Sequence, residues 1–197
     1  MAEDEVDTRR LILNTAETLF MQHGYGAVSM AKVVEAVSRV RPLTKPAVYY
    51  HFADKEALYV AVVLHVLERT RVGLEAARTL PGRLSVRVAA MSNELSRVSA
   101  NSLAQMRTDM QEHLSPVSQK QLYEGFQHSI QAPLIQLLVD AQAVGEVRAD
   151  FAPELLASAL LGLISGIRGR GARTAESALD QTVAELFLKG VQQAVPA

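Results

Sequence analysis

Apolar residues return at helical spacing along nearly the whole chain, and the places where that rhythm stops divide it into segments. Ile12, Ala16, Leu19 and Phe20 mark a first helix starting at Thr8, with Asp7 as its N-cap and Gly24 just past its end. Ser29 caps a second over residues 30–37, whose Met30, Val33, Val34 and Val37 form the buried side. Thr44 starts a third, with Pro46 in the first turn where a missing N–H leaves no bond unmade. This third helix must be short, because Asp54 already caps the next. The fourth runs over 54–79 on Leu58, Ala61, Val62, Leu64, Val66 and Leu67, until Leu80-Pro81-Gly82 breaks it. Further helices are predicted over 83–100, 101–113, 117–144, 153–169 and 174–194, with Pro133 kinking the third of these and Gly145 capping it. Strand patterns are nearly absent, so the predicted fold class is all-α.

Composition narrows the setting. A chain of 197 residues is long enough for one large or two small domains with real cores. The absence of cysteine removes disulfides and thiolate metal sites and fits a reducing cytoplasm. The histidines are scattered and suggest no ligand cluster, so neither metal nor cofactor is expected. The N-terminus is acidic and lacks a secretory pattern. The longest apolar stretch, 155–167, contains Ser158 and Ser165 and falls short of the ~20 residues that span a bilayer. The expectation is a cytoplasmic protein without a membrane partner.

The formal net charge of −1 conceals a division. Residues 8–55 hold seven Lys/Arg against three Asp/Glu, whereas residues 1–7 carry only acids and the remainder is close to neutral. A basic segment on a neutral body is the electrostatic footprint of a small DNA-binding domain. Within it, Thr44 to Lys55 combines two helix starts with Tyr49, Tyr50 and His51, side chains that donate hydrogen bonds of the kind phosphate oxygens accept.

Val48-Tyr49-Tyr50-His51-Phe52, the following Asp54-Lys55-Glu56-Ala57-Leu58, and Leu19-Phe20 with Gly24-Tyr25 upstream resemble the TetR family of one-component bacterial transcription regulators. The likeness is strong over the first third of the chain. Elsewhere it rests on length, helix content and the turn Gly145-Glu146-Val147-Arg148. It implies a three-helix DNA-binding domain with a helix-turn-helix over 1–53, then a helical-bundle ligand-binding and dimerisation domain over 54–197. The implied protein is no enzyme but a homodimeric regulator, by preference a repressor, that binds a palindromic double-stranded DNA operator and is released by a small lipophilic effector. By position on the recognition helix, Lys45, Pro46 and Ala47 face bases, while Ser29, Thr44, Tyr49, Tyr50, His51 and Lys55 face phosphates. One departure stands out: Ser38-Arg39-Val40-Arg41-Pro42 lengthens the family's turn by about four residues. If that stretch is extended with Val40 tucked inward, Arg39 and Arg41 face the DNA backbone together.

Two further sets follow. Leu155, Leu156, Ala159, Leu160, Leu163, Ile164 and Ile167 cover more than one stripe of their helix, and Leu179, Val183, Leu186, Phe187 and Val191 line the next, so this pair is the expected dimer interface. Met91, Met106, Met110, Tyr123 and Phe126 are expected to bound the effector cavity, with Asn93, Arg107 and Gln127 as polar anchors, because methionine adapts to varied apolar shapes. Other chemistry is poorly supported. Gly166, Gly169 and Gly171 follow no strand, and the serine of Gly162-Leu-Ile-Ser-Gly166 stands one place late for a nucleophile elbow. The acids are spread along helix faces without pairing. The alternative is a helical scaffold or interaction protein without DNA binding, which explains the helices but not the basic segment.

Overall fold

The computed structural model describes the backbone of residues 2–97, 100–168 and 176–191 and the side chains of 5–97, 106–167 and 180–191. Helix follows helix: α1 (Ala2–Ala27), α2 (Met30–Val40), α3 (Lys45–His51), α4 (Lys55–Arg78), α5 (Leu84–Ser96), α6 (Ala100–His113), α7 (Pro116–Phe126), a π turn over Gln127–Gln131, α8 (Ala132–Ala143), α9 (Pro153–Arg168) and α10 (Glu176–Val191). No strand element occurs among the described residues, in keeping with the all-α expectation. The expected helix ends at Gly169, Thr174 and Ala194, and the glycine Gly171, lie outside the described residues.

Three boundaries differ from expectation for identifiable reasons. α1 begins at Ala2 rather than after an Asp7 cap; Asp7 lies inside it and accepts a hydrogen bond from Arg10 Nη2 at 2.8 Å. Acidic residues suit a helix start, where the dipole is positive, so Glu5 and Asp7 favour extension. α2 continues through Ser38, Arg39 and Val40 and ends only at Arg41, whose φ of −146° is extended. The cause is Pro42, whose ring disfavours a helical residue immediately before it. The helix expected over 117–144 is interrupted by the π turn just before Pro133, where the Ala132 N–H reaches back to Gln127 O. A widened turn makes room for the proline ring, which has no N–H to give.

By packing, the chain forms two compact units, Met1–Val66 with Ser102–Gly125 and Leu67–Asn101 with Phe126–Ala197. The core of the first gathers Ile12, Ala16 and Phe20 of α1, Val33 and Val37 of α2, Val48 of α3, and Leu58, Tyr59 and Val62 of α4, all essentially inaccessible. The second is built on Leu74, Val88, Met91, Leu134, Leu137, Leu138 and Leu160. Its α5 packs along α10, where the buried Ser92 Oγ donates to the buried Asp180 Oδ1 at 2.7 Å. Arg78 Nη1 bonds Asp140 Oδ2, and Arg87 Nη2 bonds Glu146 Oε2, each at 2.9 Å. These pairs are only half buried, so they fix geometry more than they add stability.

Candidate DNA-reading site

The α2–α3 pair is assembled by local rules. Ser29 Oγ accepts the Lys32 N–H at 3.2 Å and so caps α2. Val33 and Val37 seat that helix on the core, and Ser38 Oγ donates to Leu43 O at 2.9 Å, closing the turn beyond it. Thr44 Oγ1 accepts the Ala47 N–H at 3.4 Å, with Pro46 in the first turn, and α3 is under way. Its floor is Val48, fully buried, and Phe52, whose N–H donates to Val48 O at 3.1 Å. Asp54 Oδ1 then accepts the Ala57 N–H at 2.7 Å and starts α4. The caps predicted at Ser29, Thr44 and Asp54 are present, while the one predicted at Asp7 is not.

What α3 leaves outside is the informative part. Thr44, Lys45 and Pro46 are exposed, Ala47 is half-buried, and Tyr49 and Tyr50 are 38% and 75% exposed. His51 is half-buried with its ring between those of Tyr50 and Phe52, at centroid distances of 5.3 and 6.5 Å. Lys45 Nζ lies 5.6 Å from the Tyr49 ring centroid, close enough for the ring face to steady its charge. Ser29, at the start of α2, is also exposed.

The lengthened turn is where expectation fails. Ser38 to Val40 form the last turn of α2, so the connection to α3 spans only 41–44. Val40 points outward, 69% exposed, instead of tucking in. Arg39 stands on the helix surface paired with Glu35 one turn back, and Arg41 is half-buried at the C-cap. The two arginines therefore do not alternate along extended chain. Lys55 also departs from its expected role: its ammonium sits 3.9 Å from the centroid of Tyr25, engaged within the unit, and burial pushes its pKa down.

The remaining candidates divide as follows. Met91 is fully enclosed in the core of the second unit, where Phe126 and Gln127 are half-buried and Asn93 is exposed. Met106 and Met110 are half-buried in the first unit, and Arg107 and Tyr123 are exposed there. A groove of 740 Å³ in the first unit is lined by Arg9, Leu13, Val60, Leu64, His65 and Gln121 among others, and by none of the eight residues expected to bind the effector. The dimer set splits by face. Leu156, Leu160, Ile164, Val183, Phe187 and Val191 are buried inside their own unit, Leu163 and Ile167 are half-buried against that core, and Leu155, Ala159 and Leu186 are exposed. The Leu179 side chain lies outside the described residues.

Sequence reasoning missed a buried acid. Asp109 of α6, 2% exposed, accepts the Tyr25 N–H at 2.8 Å and the Tyr59 hydroxyl at 3.3 Å, both on Oδ2. Tyr25 lies edge-on to Tyr59 and stacks on His113, and Arg9 rests over Phe52 at 5.2 Å. Burial first, and the Asp109 charge second, hold the Tyr59 phenol protonated well above its ordinary range. The sequence offered little to find it, because Asp109 stands on a largely polar helix beside Arg107, Gln111 and Glu112, where an acid reads as solvated.

Glu56 makes a second tie, accepting from Ser115 N–H at 2.9 Å and Ser115 Oγ at 2.6 Å. These bonds hold its carboxyl below the usual glutamate range. The charged form is thus favoured by folding, and the contribution is complete above the unfolded value of about 4.3 and fades as pH falls through the lower folded value. In urea unfolding, Glu56→Gln is expected to be less stable than the parent at neutral pH and equal to it in acid. A constant difference across that range would show that the bonds carry no proton linkage.

Residues 12–62 match the profile of bacterial regulatory proteins of the tetR family. The HTH-type transcriptional regulator UidR of Escherichia coli K12 is 33% identical over 69 residues, 35% of this chain and 33% of that one. The HTH-type transcriptional repressor ComR of the same strain is 38% identical over 72 residues, 36% of this chain and 32% of that one. The matched stretch thus spans about a third of these relatives. The whole fold is similar to that of the TetR family transcriptional regulator PfmR of Thermus thermophilus, with a TM-score of 0.69 at 20% identity, covering 92% of this chain and 99% of that one.

Proposed function

The chain belongs to the TetR family of bacterial regulatory proteins, and from that premise we propose that it represses transcription as a homodimer on a palindromic operator until a small lipophilic effector releases it. The observation that carries the DNA-reading half is α3 itself. A seven-residue helix with Val48 as its single fully buried side chain leaves Lys45, Tyr49 and Tyr50 uncovered beside the basic stretch. Such a helix fits a major groove, with Lys45, Pro46 and Ala47 at base edges and Thr44, Tyr49, Tyr50 and His51 on phosphates. Ser29, Arg39 and Arg41 supply further backbone contacts near the ends of α2; Lys55 is the weakest of the set, since its charge lies over Tyr25.

The reading domain is taken as 1–53 and the effector and dimerisation domain as 54–197, a division that follows the break between His51 and Lys55, whereas by packing residues 54–66 and 102–125 belong with the reading helices. The adaptability of methionine supports an apolar effector, with the partly buried Met106 and Met110 of the first unit among its candidate contacts. The outward Leu155, Ala159 and Leu186 support a two-fold contact through α9 and α10.

Titration of DNA from the chain's own promoter region tests the reading. Lys45→Ala is expected to relax preference at one base position by about 1–3 kcal/mol. Arg39→Ala is expected to weaken specific and random DNA alike and to flatten the log affinity against log salt slope by ~0.9. A parent chain that binds neither DNA would sink this function and favour the scaffold alternative.

A further inference from the structure

We propose that Asp109 is a positioning residue for DNA reading, one buried carboxylate that pins both the entry to and the exit from the helix-turn-helix. The proposal rests on the DNA-binding reading. It starts from a backbone donor that needs a partner: Gly24 has φ 73° and ψ 167°, which interrupts the α1 ladder and leaves Tyr25 N–H at the start of a new turn. Asp109 Oδ2 takes that N–H at 2.8 Å, and Met30 opens α2 a few residues later. The same oxygen takes the Tyr59 hydroxyl at 3.3 Å from the second turn of α4, whose first turn follows α3 directly.

Lys55, also in that first turn, completes the arrangement. Its ammonium lies on the Tyr25 ring, where burial lowers its pKa and the Asp109 charge offsets part of that. The edge-on contact of Tyr25 with Tyr59, centroids 5.1 Å apart, holds the two donors side by side. Asp109 stands outside the matched 12–62 stretch, so the segment that reads DNA is held in shape by an acid that α6 brings to it. Because Asp109 is 2% exposed, water is poorly placed to replace its Oδ2, and removing it strands a part-buried N–H and a buried hydroxyl at once.

The test uses the full chain with Asp109→Ala, Asp109→Asn and, as a control, Leu122→Ala, which opens a void in the same unit on a different helix, α7. Amide exchange at Tyr25 and across 44–54 is read without DNA, and affinity for promoter DNA is read as a function of salt. Asp109→Ala is expected to speed Tyr25 exchange and lower affinity each by about tenfold, with the salt slope unchanged because no phosphate contact is lost. Asp109→Asn keeps an acceptor oxygen and should restore most of both; Leu122→Ala should alter neither. Unchanged Tyr25 protection in Asp109→Ala, unchanged affinity, or the same two losses in Leu122→Ala would overturn the assignment. If the parent lacked DNA affinity altogether, the regulator reading would fall and the positioning role with it, whereas the exchange data would still report whether Asp109 holds Tyr25.

Discussion

Replacing both Leu155 and Leu186 with glutamate is expected to convert the protein from dimer to monomer at micromolar concentration and to lower operator affinity by at least a hundredfold. These leucines are 58% and 54% exposed, although Leu156, Leu160 and Ile164 of the one helix and Val183, Phe187 and Val191 of the other are buried. Along the face of Leu155 the following positions are small: Ala159 is exposed, and an added Cβ at Gly162 or Gly166, or at Gly190 one turn beyond Leu186, would meet nothing within 4 Å. A face with large knobs and no side chains in the gaps admits close approach of a second helix pair. Burying one leucine is worth about 1.5–3 kcal/mol, and two-fold symmetry repeats each contact, so four glutamates at that place outweigh a typical association energy. DNA affinity follows, since linked half-site binding exceeds a single half-site by ~10²–10⁴. The monomer's own melting temperature should barely move, because neither leucine packs inward. Sedimentation equilibrium decides: a monomeric parent, or a double variant that stays dimeric, would reject the interface.

The same residues show how far hydrophobic periodicity reaches. It marked 155–167 as apolar over more than one stripe, but it could not say which stripe serves the chain's own core. Leu156, Leu160 and Ile164 turned out to line α8 and α10, and only the remainder is free to meet a partner. Leu163 is half-buried against that core, so a charge there would confound folding with assembly. Local signals held at three of the four predicted N-caps, Asp7 being the exception. Ser29, Thr44 and Asp54 are caps because each offers a side-chain oxygen to an N–H three residues on, a rule that needs no knowledge of the rest of the chain. Leu80-Pro81-Gly82 ended α4 for an equally local reason.

The α2 end failed for an instructive cause. Aligning the turn to a family pattern placed the break after Val37, while the local physics pointed to Pro42, which acts only on the residue before it. Nothing in Ser38-Arg39-Val40 opposes a helix, and Glu35 with Arg39 at one-turn spacing gives it slight support. The roles of Lys55 and Asp109 were illegible for the opposite reason. Both depend on Tyr25, and the Tyr25 to Asp109 contact joins residues 84 apart in sequence. A lysine at a helix start reads as a phosphate ligand until the ring that receives it is known.

Gly24→Ala is expected to be among the most damaging single substitutions in the first unit. Its φ of 73° with ψ 167° lies in a region that only glycine occupies without strain, and there the cost to an L-residue is on the order of 1–3 kcal/mol. Relief by relaxing into the helix would carry Tyr25 away from Asp109, exposing the bonds to Tyr25 N–H and the Lys55–Tyr25 contact to loss. Either route weakens the same place. The melting temperature should fall by about 2–4 °C for each kcal/mol lost, and DNA affinity should fall with it even below the melting range, since the α1–α2 corner is altered in the folded state. Gly26→Ala is the matched control two residues on: its Cβ would meet only His113 Nε2 at an ordinary 3.7 Å, and it should change neither property appreciably. Equal melting temperatures and equal DNA affinities for the two variants would show that the corner at Gly24 does not set the position of the reading helices.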